Sequence, residues 1–284
     1  MGIIEEQMNS ELLIIGDWFK VNRLSLNLDK TSYVVFGNKK IGDICIRFQG
    51  TLINRQFETK FLGIILSHNL KWNTHIDIVA SKTSKCLGII SKIRHLVPWH
   101  LTRMLYLTLA EPYMNYCNIV WCRSEKTNKL DKIHKIQKKY CRLITFSSFT
   151  ASWKPLFLQL KLLNIYNIYK YQLVIYMYKV LNHLIPSLDH HLFRNGSSVH
   201  SHDTRGKDHL RKTACRTKMR QNMICFQGPK LWNGLPEVYM IFKVNRQGHV
   251  IYFGLFEISD LEYVENDTKI KSVACIQPEI QEVT

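Results

Sequence analysis

The spacing of apolar residues changes several times along the first seventy positions. "EEQMNSELLIIGDWFKVN" places apolar side chains every three or four residues, which predicts an amphipathic helix. "LSLNLD" and "DICIRFQG" alternate apolar and polar residues, which predicts half-buried strands, and a turn is expected at Asp29 and Lys30 before a second short strand. "KFLGIIL" is a continuous apolar run, typical of a strand that is covered on both faces. We therefore expect a helix followed by a small antiparallel β-meander.

From Trp72 onward the apolar residues follow the 3.6-residue period of helices. One helix is predicted to end before Pro98, with a buried stripe made of Ile76, Val79, Ala80, Thr83, Leu87 and Ile90. "TNKLDKIHKIQKKYCRLI" gives the clearest helical pattern, with a buried stripe made of Leu130, Ile133, Ile136 or Gln137, Tyr140 and Leu143. A long aromatic-rich helix or helix pair is expected over about residues 155–185.

These patterns predict an α+β chain that is mostly helical and divided into four parts. Residues 1–71 contain the meander, and residues 72–150 form a basic helical domain. Residues 151–242 form a C-terminal helical region with a polar, basic arm at about 194–220. Residues 243–284 form a divergent tail whose acidic composition favours disorder, since residues 251–284 hold seven acids and two lysines.

The charge balance favours a polyanionic partner. Lys and Arg outnumber Asp and Glu 39 to 22, which gives a net charge of +17, and residues 82–142 alone hold thirteen basic residues and three acids. Nucleic acid and an anionic membrane surface both fit such a surplus. The apolar stretch Leu156–Leu181 is interrupted by three lysines, so we expect a buried or amphipathic helix rather than a bilayer span.

Cysteine and histidine usage adds no metal site and no disulfide framework. The eight cysteines are scattered without a CxxC pair, and no secretory signal pattern is present. We therefore expect reduced thiols in an intracellular protein of the nucleus or cytoplasm that is not secreted. The histidines and cysteines between His190 and Cys225 match no zinc-ligand spacing, so no metal site is predicted.

Two basic runs are candidate nucleic-acid contacts. The first is the polar side of the clearest predicted helix and consists of Lys129, Lys132, Lys135, Lys138, Lys139 and Arg142. It could be an ordinary solvated face, but charges of one sign without acidic partners repel one another unless phosphates neutralise them. The second run includes Arg205, Arg211 and Arg216, and it fits either RNA binding or a disordered arm.

Five strings occur in an order typical of one protein family. They are "WFKVNRLSLNLDKTSYVVFG", "KFLGIILSHNLKWNTHI", "LAEPYMNYCNIVWC", "LDKIHKIQKKYCRLI" and "GPKLWNGLP". Together they resemble the C-terminal part of the jockey-like reverse transcriptases of LINE-type (non-LTR) retrotransposons. The resemblance extends over roughly residues 5–240.

The resemblance implies a role for three segments. "NLDKT" looks like the palm motif after the catalytic centre, where Lys30 would donate a proton to the leaving pyrophosphate; without the resemblance, Lys30 is a solvated turn lysine. Phe61, Leu62 and Gly63 look like the primer-grip hairpin, in which a glycine lets a nucleic-acid strand approach the backbone. Residues 72–150 correspond to the thumb, so residues 1–71 would be a partial palm.

One departure from the family decides the expected activity. The family holds two Mg²⁺ ions on palm carboxylates that include an adjacent Asp-Asp pair, and this sequence contains no such pair. We expect a chain without a cofactor that binds primer–template RNA and DNA, with the remainder of the element-encoded polymerase as a further partner, but does not polymerise alone. The alternatives are a retained nucleic-acid-binding or protein-interaction module and the non-functional remnant of a decayed element.

Overall fold

Helices make up most of the described chain, as the sequence predicts. The computed structural model describes residues 2–37, 42, 44–122, 128–186, 192–194, 196, 209–212, 214–235, 243–244 and 250–251. Short strands occur mainly before residue 68, so the fold class is α+β and mostly helical. The chain divides into two compact units, residues 1–78 and residues 79–284.

Unit 1 packs one helix against short strands. Its helix is α1 (Gly2–Val21), and its strands are β1 (Ser32–Tyr33), β2 (Arg47–Phe48), β3 (Thr51–Leu52), β4 (Asn54–Arg55), β5 (Glu58–Phe61) and β6 (Ile64–Ser67). Leu12 and Phe19 of α1 pack against a cluster of Ile44, Ile46, Phe48 and Ile53. The alternating residues of "DICIRFQG" therefore supply the core of this unit, as the sequence predicts.

The predicted meander is wrong in its pairing and in two of its strands. The strands form separate two-stranded sheets, and β1 pairs with β4 in parallel, while β2–β3 and β5–β6 are antiparallel. The strand predicted from Leu24 is not formed, whereas the turn expected at Asp29 and Lys30 is part of a 3₁₀ turn over Leu28–Lys30. The Asn27 side chain caps this turn by accepting a hydrogen bond from the Lys30 N–H. "KFLGIIL" is the β5–β6 hairpin instead of one covered strand, because Leu62 and Gly63 both have positive φ angles.

The remaining helices are, in chain order, α2 (Asn73–Ile93), α3 (Trp99–Leu105), a π-helical segment (Tyr106–Ala110), α4 (Glu111–Asn115), α5 (Asn118–Trp121), α6 (Asn128–Ile144), α7 (Trp153–Gln159), α8 (Ile165–Leu181), α9 (Lys218–Gln221) and α10 (Ile224–Trp232). The stripes predicted for α2 and α6 are buried or half-buried throughout. A final antiparallel pair, β7 (Lys243–Val244) and β8 (Val250–Ile251), lies in the predicted acidic tail, and residues 252–284 lie outside the described residues.

The core of unit 2 is built around α6, which contacts α3, α7 and α8. The Tyr106 and Tyr140 rings lie 4.9 Å apart, and the Tyr140 hydroxyl donates to the Thr83 carbonyl at 2.6 Å. Gln137 is fully buried at the centre of this contact. The predicted aromatic-rich helix pair is α7 and α8, and α8 is buried along most of its length. Among the described residues, no helix combines the length and apolar character that crossing a bilayer requires.

Gly228 allows α10 to approach α8 closely. A Cβ atom at this position would lie 2.5 Å from the Met177 Sδ, and Met177 is almost fully buried. Gly228→Ala should therefore destabilise the protein by about 1–3 kcal/mol through overpacking. Gly88→Ala in α2 is the matched control, because nothing lies within 4 Å of its added Cβ. The control should stabilise by roughly 0.5–1 kcal/mol through helix propensity, and urea melts of both variants give the comparison.

Candidate nucleic-acid interface

One face of α6 carries a continuous stripe of cations. Lys132, Lys135, Lys139 and Arg142 follow one another at intervals of three, four and three residues, which places them on one side of the helix. The three lysines are exposed. Ten residues of helix measure about 15 Å, which matches roughly four phosphates of one strand in a duplex. We call these four residues the α6 stripe.

Few acidic side chains accompany the cations of this region. Residues 79–186 carry seventeen Lys and Arg and only three acids, of which Glu111 and Asp131 are described. The Asp131 Oδ1 accepts a hydrogen bond from the Tyr166 hydroxyl at 2.9 Å. Burial raises the pKa of the Glu111 carboxyl, although a hydrogen bond from Asn115 and the charge of Arg103 oppose the shift. Among the described residues, neither carboxylate forms an ion pair with a member of the stripe.

The predicted basic face also includes side chains that hold the fold together. The Arg142 Nε and Nη2 donate to the Ala151 carbonyl at 3.0 and 2.9 Å. The Lys138 Nζ lies 4.9 Å from the centre of the Trp153 ring, and the Lys154 Nζ lies 5.9 Å from it. In contrast, Lys135 and Lys139 make no hydrogen bond or ion pair with any other described residue. Within the described chain, these two side chains therefore make no polar contact that would stabilise the fold.

Lys129, the remaining cation of the predicted basic face, is half-buried at the start of α6, one turn before Ile133. Trp153 is only half-buried and has two lysine ammonium groups near its ring. Sequence reasoning missed this arrangement because Lys138 and Trp153 are fifteen positions apart and on different helices. Two exposed phenylalanines beyond the end of α6, Phe146 and Phe149, were missed as well.

Lys30 lies at the end of the 3₁₀ turn, immediately before β1. Its side chain is exposed, as is that of Asp29. Two hydrogen bonds made by Thr31 fix the turn. Its N–H donates to the Leu28 carbonyl at 3.1 Å, and its hydroxyl donates to the Asn27 carbonyl at 2.7 Å. This geometry presents the lysine to solvent and suits both the solvated turn and the phosphate-directed role.

The β5–β6 hairpin exposes its apolar tip. Phe61 is 60% exposed and Leu62 is 73% exposed, so the expectation of a buried strand is wrong for these two residues. Leu62 and Gly63 form the two-residue turn, with φ angles of 45° and 83°. Positive φ at both positions is the requirement of the type I′ turn that tight hairpins use. The hairpin therefore exposes two apolar side chains, Phe61 and Leu62, at its tip.

Part of the predicted basic arm is anchored. The Arg211 N–H donates to the Arg194 carbonyl at 2.8 Å, and the Asn233 side chain both donates to and accepts from the backbone of Leu210. The Arg211 and Arg216 side chains are exposed. Arg205 lies outside the described residues. The arm therefore meets the end of α10 at one point, and the described arginines face solvent there.

Metal and thiol chemistry gain no support from the described residues. No group of three or more His, Cys, Asp or Glu side chains among them is placed to hold a metal ion. All seven cysteines of the described residues are free thiols, and burial raises the pKa of Cys141 to about 12.

The chain was compared with protein-family models, curated proteins and solved structures, and no match was found in any of the three. The resemblance to reverse transcriptases therefore depends on the five sequence strings alone.

Proposed function

We propose that this chain binds nucleic acid through phosphate contacts on the α6 stripe. The observation that carries the proposal is a row of three exposed lysines and Arg142 on one side of α6, of which Lys135 and Lys139 have no partner among the described residues. Like charges at such spacing repel one another, and a polyphosphate strand relieves the repulsion while releasing its own counterions. The Lys135 and Lys139 side chains contribute nothing else to the described fold, which supports a role outside it.

The motif resemblance specifies the ligand as primer–template RNA and DNA. In this proposal the chain is the palm-end, thumb and C-terminal part of a retrotransposon reverse transcriptase. The exposed tip at Phe61 and Leu62 would contact the primer strand, and Lys30 would face the triphosphate site of the complete enzyme. Because the chain contains no adjacent aspartates, it binds primer–template without extending it.

The test combines binding and synthesis on one substrate. A fluorescein-labelled RNA–DNA hybrid with a recessed primer end is titrated with the purified chain, and binding is followed by anisotropy. The same mixture then receives Mg²⁺ and deoxynucleotides, and primer length is read on a gel. We expect saturable binding and no extension. Template-dependent extension by the chain alone would contradict the assignment of an incomplete polymerase, and absence of binding would contradict the proposed function itself.

A second candidate function, protein interaction, is favoured by the surface of α1. Most of its large apolar side chains are exposed, and four of them, Ile3, Ile14, Trp18 and Val21, share one side of the helix with Gln7, Ser10 and Asp17. Burying these apolar side chains against another polypeptide would be favourable. Following the resemblance, that polypeptide would be the remainder of the element-encoded polymerase. Binding to an apolar protein surface depends little on salt, so a salt titration separates this function from the first.

A further inference from the structure

The loop that follows α6 is held in one conformation by its own hydrogen bonds. The Ser147 N–H donates to the Arg142 carbonyl at 3.0 Å across Phe146, whose φ is 53°, which is the usual geometry of a helix C-terminus. The Arg142 side chain then donates twice to the Ala151 carbonyl and closes the loop. These hydrogen bonds therefore hold residues 145–151 in this conformation without a bound ligand.

This loop holds two phenylalanines in solvent. Phe146 is 52% exposed and Phe149 is 78% exposed. The other five residues of the loop are Thr, Ser and Ala, so the two rings are flanked in sequence by small, mostly polar side chains. Exposing a phenylalanine forgoes the free energy that its burial would provide. These two rings are therefore available to contact a ligand.

Each ring is paired with an arginine. The Arg94 guanidinium lies 4.9 Å from the centre of the Phe146 ring, and the Arg142 guanidinium lies 5.7 Å from the centre of the Phe149 ring. The His95 ring lies 5.7 Å from that of Phe146. Arg142 is also the last residue of the α6 stripe, so the stripe leads directly into this loop. Proteins that bind single-stranded nucleic acid without sequence preference combine aromatic rings with a positively charged surface in this way.

We propose that Phe146 and Phe149 form a stacking platform for unpaired bases of an RNA or DNA strand whose phosphates lie on the α6 stripe. The inference rests on the proposed function and makes it specific, because a platform of this kind selects single-stranded over fully paired nucleic acid. Bases in a duplex are already stacked on one another and offer no free face to the rings.

An anionic membrane is the competing ligand for aromatic and basic residues together. It fits less well, because insertion into the interface requires a broad apolar face and the loop offers two rings separated by serines. Bases also need the flat face of an aromatic ring, whereas lipid chains accept any apolar side chain of similar size. This difference between aromatic and aliphatic side chains provides the test.

The experiment replaces Phe149 by Leu, Trp or Ala in the full chain. Anisotropy titrations use a labelled dT₁₂ strand and a labelled 12-base-pair duplex, and a sedimentation assay uses vesicles of phosphatidylcholine and phosphatidylserine. Phe149→Leu and Phe149→Ala should both weaken dT₁₂ binding about tenfold and leave duplex binding unchanged. Phe149→Trp should keep the wild-type affinity, and its added tryptophan emission should be quenched by dT₁₂. Because the side chain is exposed, thermal melts of all three variants should match the wild type.

Two results would overturn the platform. If Phe149→Leu binds dT₁₂ as tightly as the wild type, the ring is not a stacking surface, although duplex binding would leave the proposed function intact. If Phe149→Ala weakens vesicle binding but not dT₁₂ binding, the loop is a membrane contact. Failure of the wild type to bind either oligonucleotide would end both the platform and the function on which it depends.

Discussion

Reversing two charges on the α6 stripe should abolish most nucleic-acid binding. We expect Lys135→Glu combined with Lys139→Glu to lower the affinity for an RNA–DNA hybrid by on the order of 100-fold at 0.1 M salt, because two phosphate contacts are lost and two repulsions replace them. Both side chains are exposed and have no partner among the described residues, so folding should be unaffected. Anisotropy titration measures the affinity, and circular dichroism melting verifies the fold.

The matched control makes the same change of net charge in unit 1. Lys20→Glu combined with Lys71→Glu alters two exposed lysines. Within the part of the chain that the structure describes, Lys20 pairs with the exposed Asp17 on α1 and Lys71 forms no ion pair. Such a pair contributes little to stability. If binding depended only on the overall surplus of positive charge, the control would weaken it as much as the α6 variant does. Equal losses would therefore contradict a localised interface.

The largest expected loss of stability follows from removing the Gln137 side chain. This residue is 0% exposed and joins three segments: its Nε2 donates to the Tyr106 hydroxyl at 3.1 Å and to the Leu163 carbonyl at 3.2 Å, and its Oε1 accepts from the Ile165 N–H at 2.8 Å. Gln137→Ala leaves these groups buried without that partner. We expect a loss of about 3 kcal/mol in the free energy of unfolding, or roughly 6–12 °C in Tm.

Gln159→Ala is the control for this variant, because Gln159 is an exposed residue of α7 and its loss should change stability by less than about 0.5 kcal/mol. Both variants can be followed by urea denaturation. If they lose similar stability, the Gln137 hydrogen bonds do not hold the helices together. A large effect of Gln137→Ala with unchanged nucleic-acid affinity per folded molecule would also show that the buried and exposed faces of α6 act separately.

Most of the correct predictions came from the helical spacing of the apolar residues. The stripes of α2 and α6 are buried because a 3.6-residue repeat aligns Ile76 with Ile90, or Leu130 with Tyr140, on one side of a helix. The pattern left Ile136 and Gln137 open at one position of the α6 stripe of apolar residues, and the packing buries Gln137 fully and Ile136 only in part. The alternation of Ile44, Ile46 and Phe48 likewise identified core residues, although only Arg47–Phe48 is strand.

Features that depend on turn chemistry or on distant partners were not predicted. Asn27 caps a 3₁₀ turn where alternation suggested strand, and positive φ at Leu62 and Gly63 folds an apolar run into a hairpin. The parallel pairing of β1 with β4 joins residues more than twenty positions apart, and a local pattern does not encode it.

The candidate site shows the same limit. Charge counting found all six cations on the polar face of α6, but it could not separate Lys135 and Lys139 from Arg142, whose guanidinium also closes the loop after the helix. Nor could it find Phe146 and Phe149, since isolated aromatics in a Ser/Thr-rich segment carry no period. Their exposure became evident only from the packing around them.

The salt dependence of hybrid binding by the wild-type chain tests the central claim most directly. Each phosphate neutralised in B-DNA contributes about −0.9 to the slope of log Kobs against log salt concentration. The α6 stripe offers between two cations, the exposed Lys135 and Lys139, and all four of its members. We therefore expect a slope of about −2 to −4 between 0.05 and 0.3 M KCl. A slope near zero, or binding that survives undiminished at the highest salt, would show that this surface does not hold nucleic acid through its phosphates.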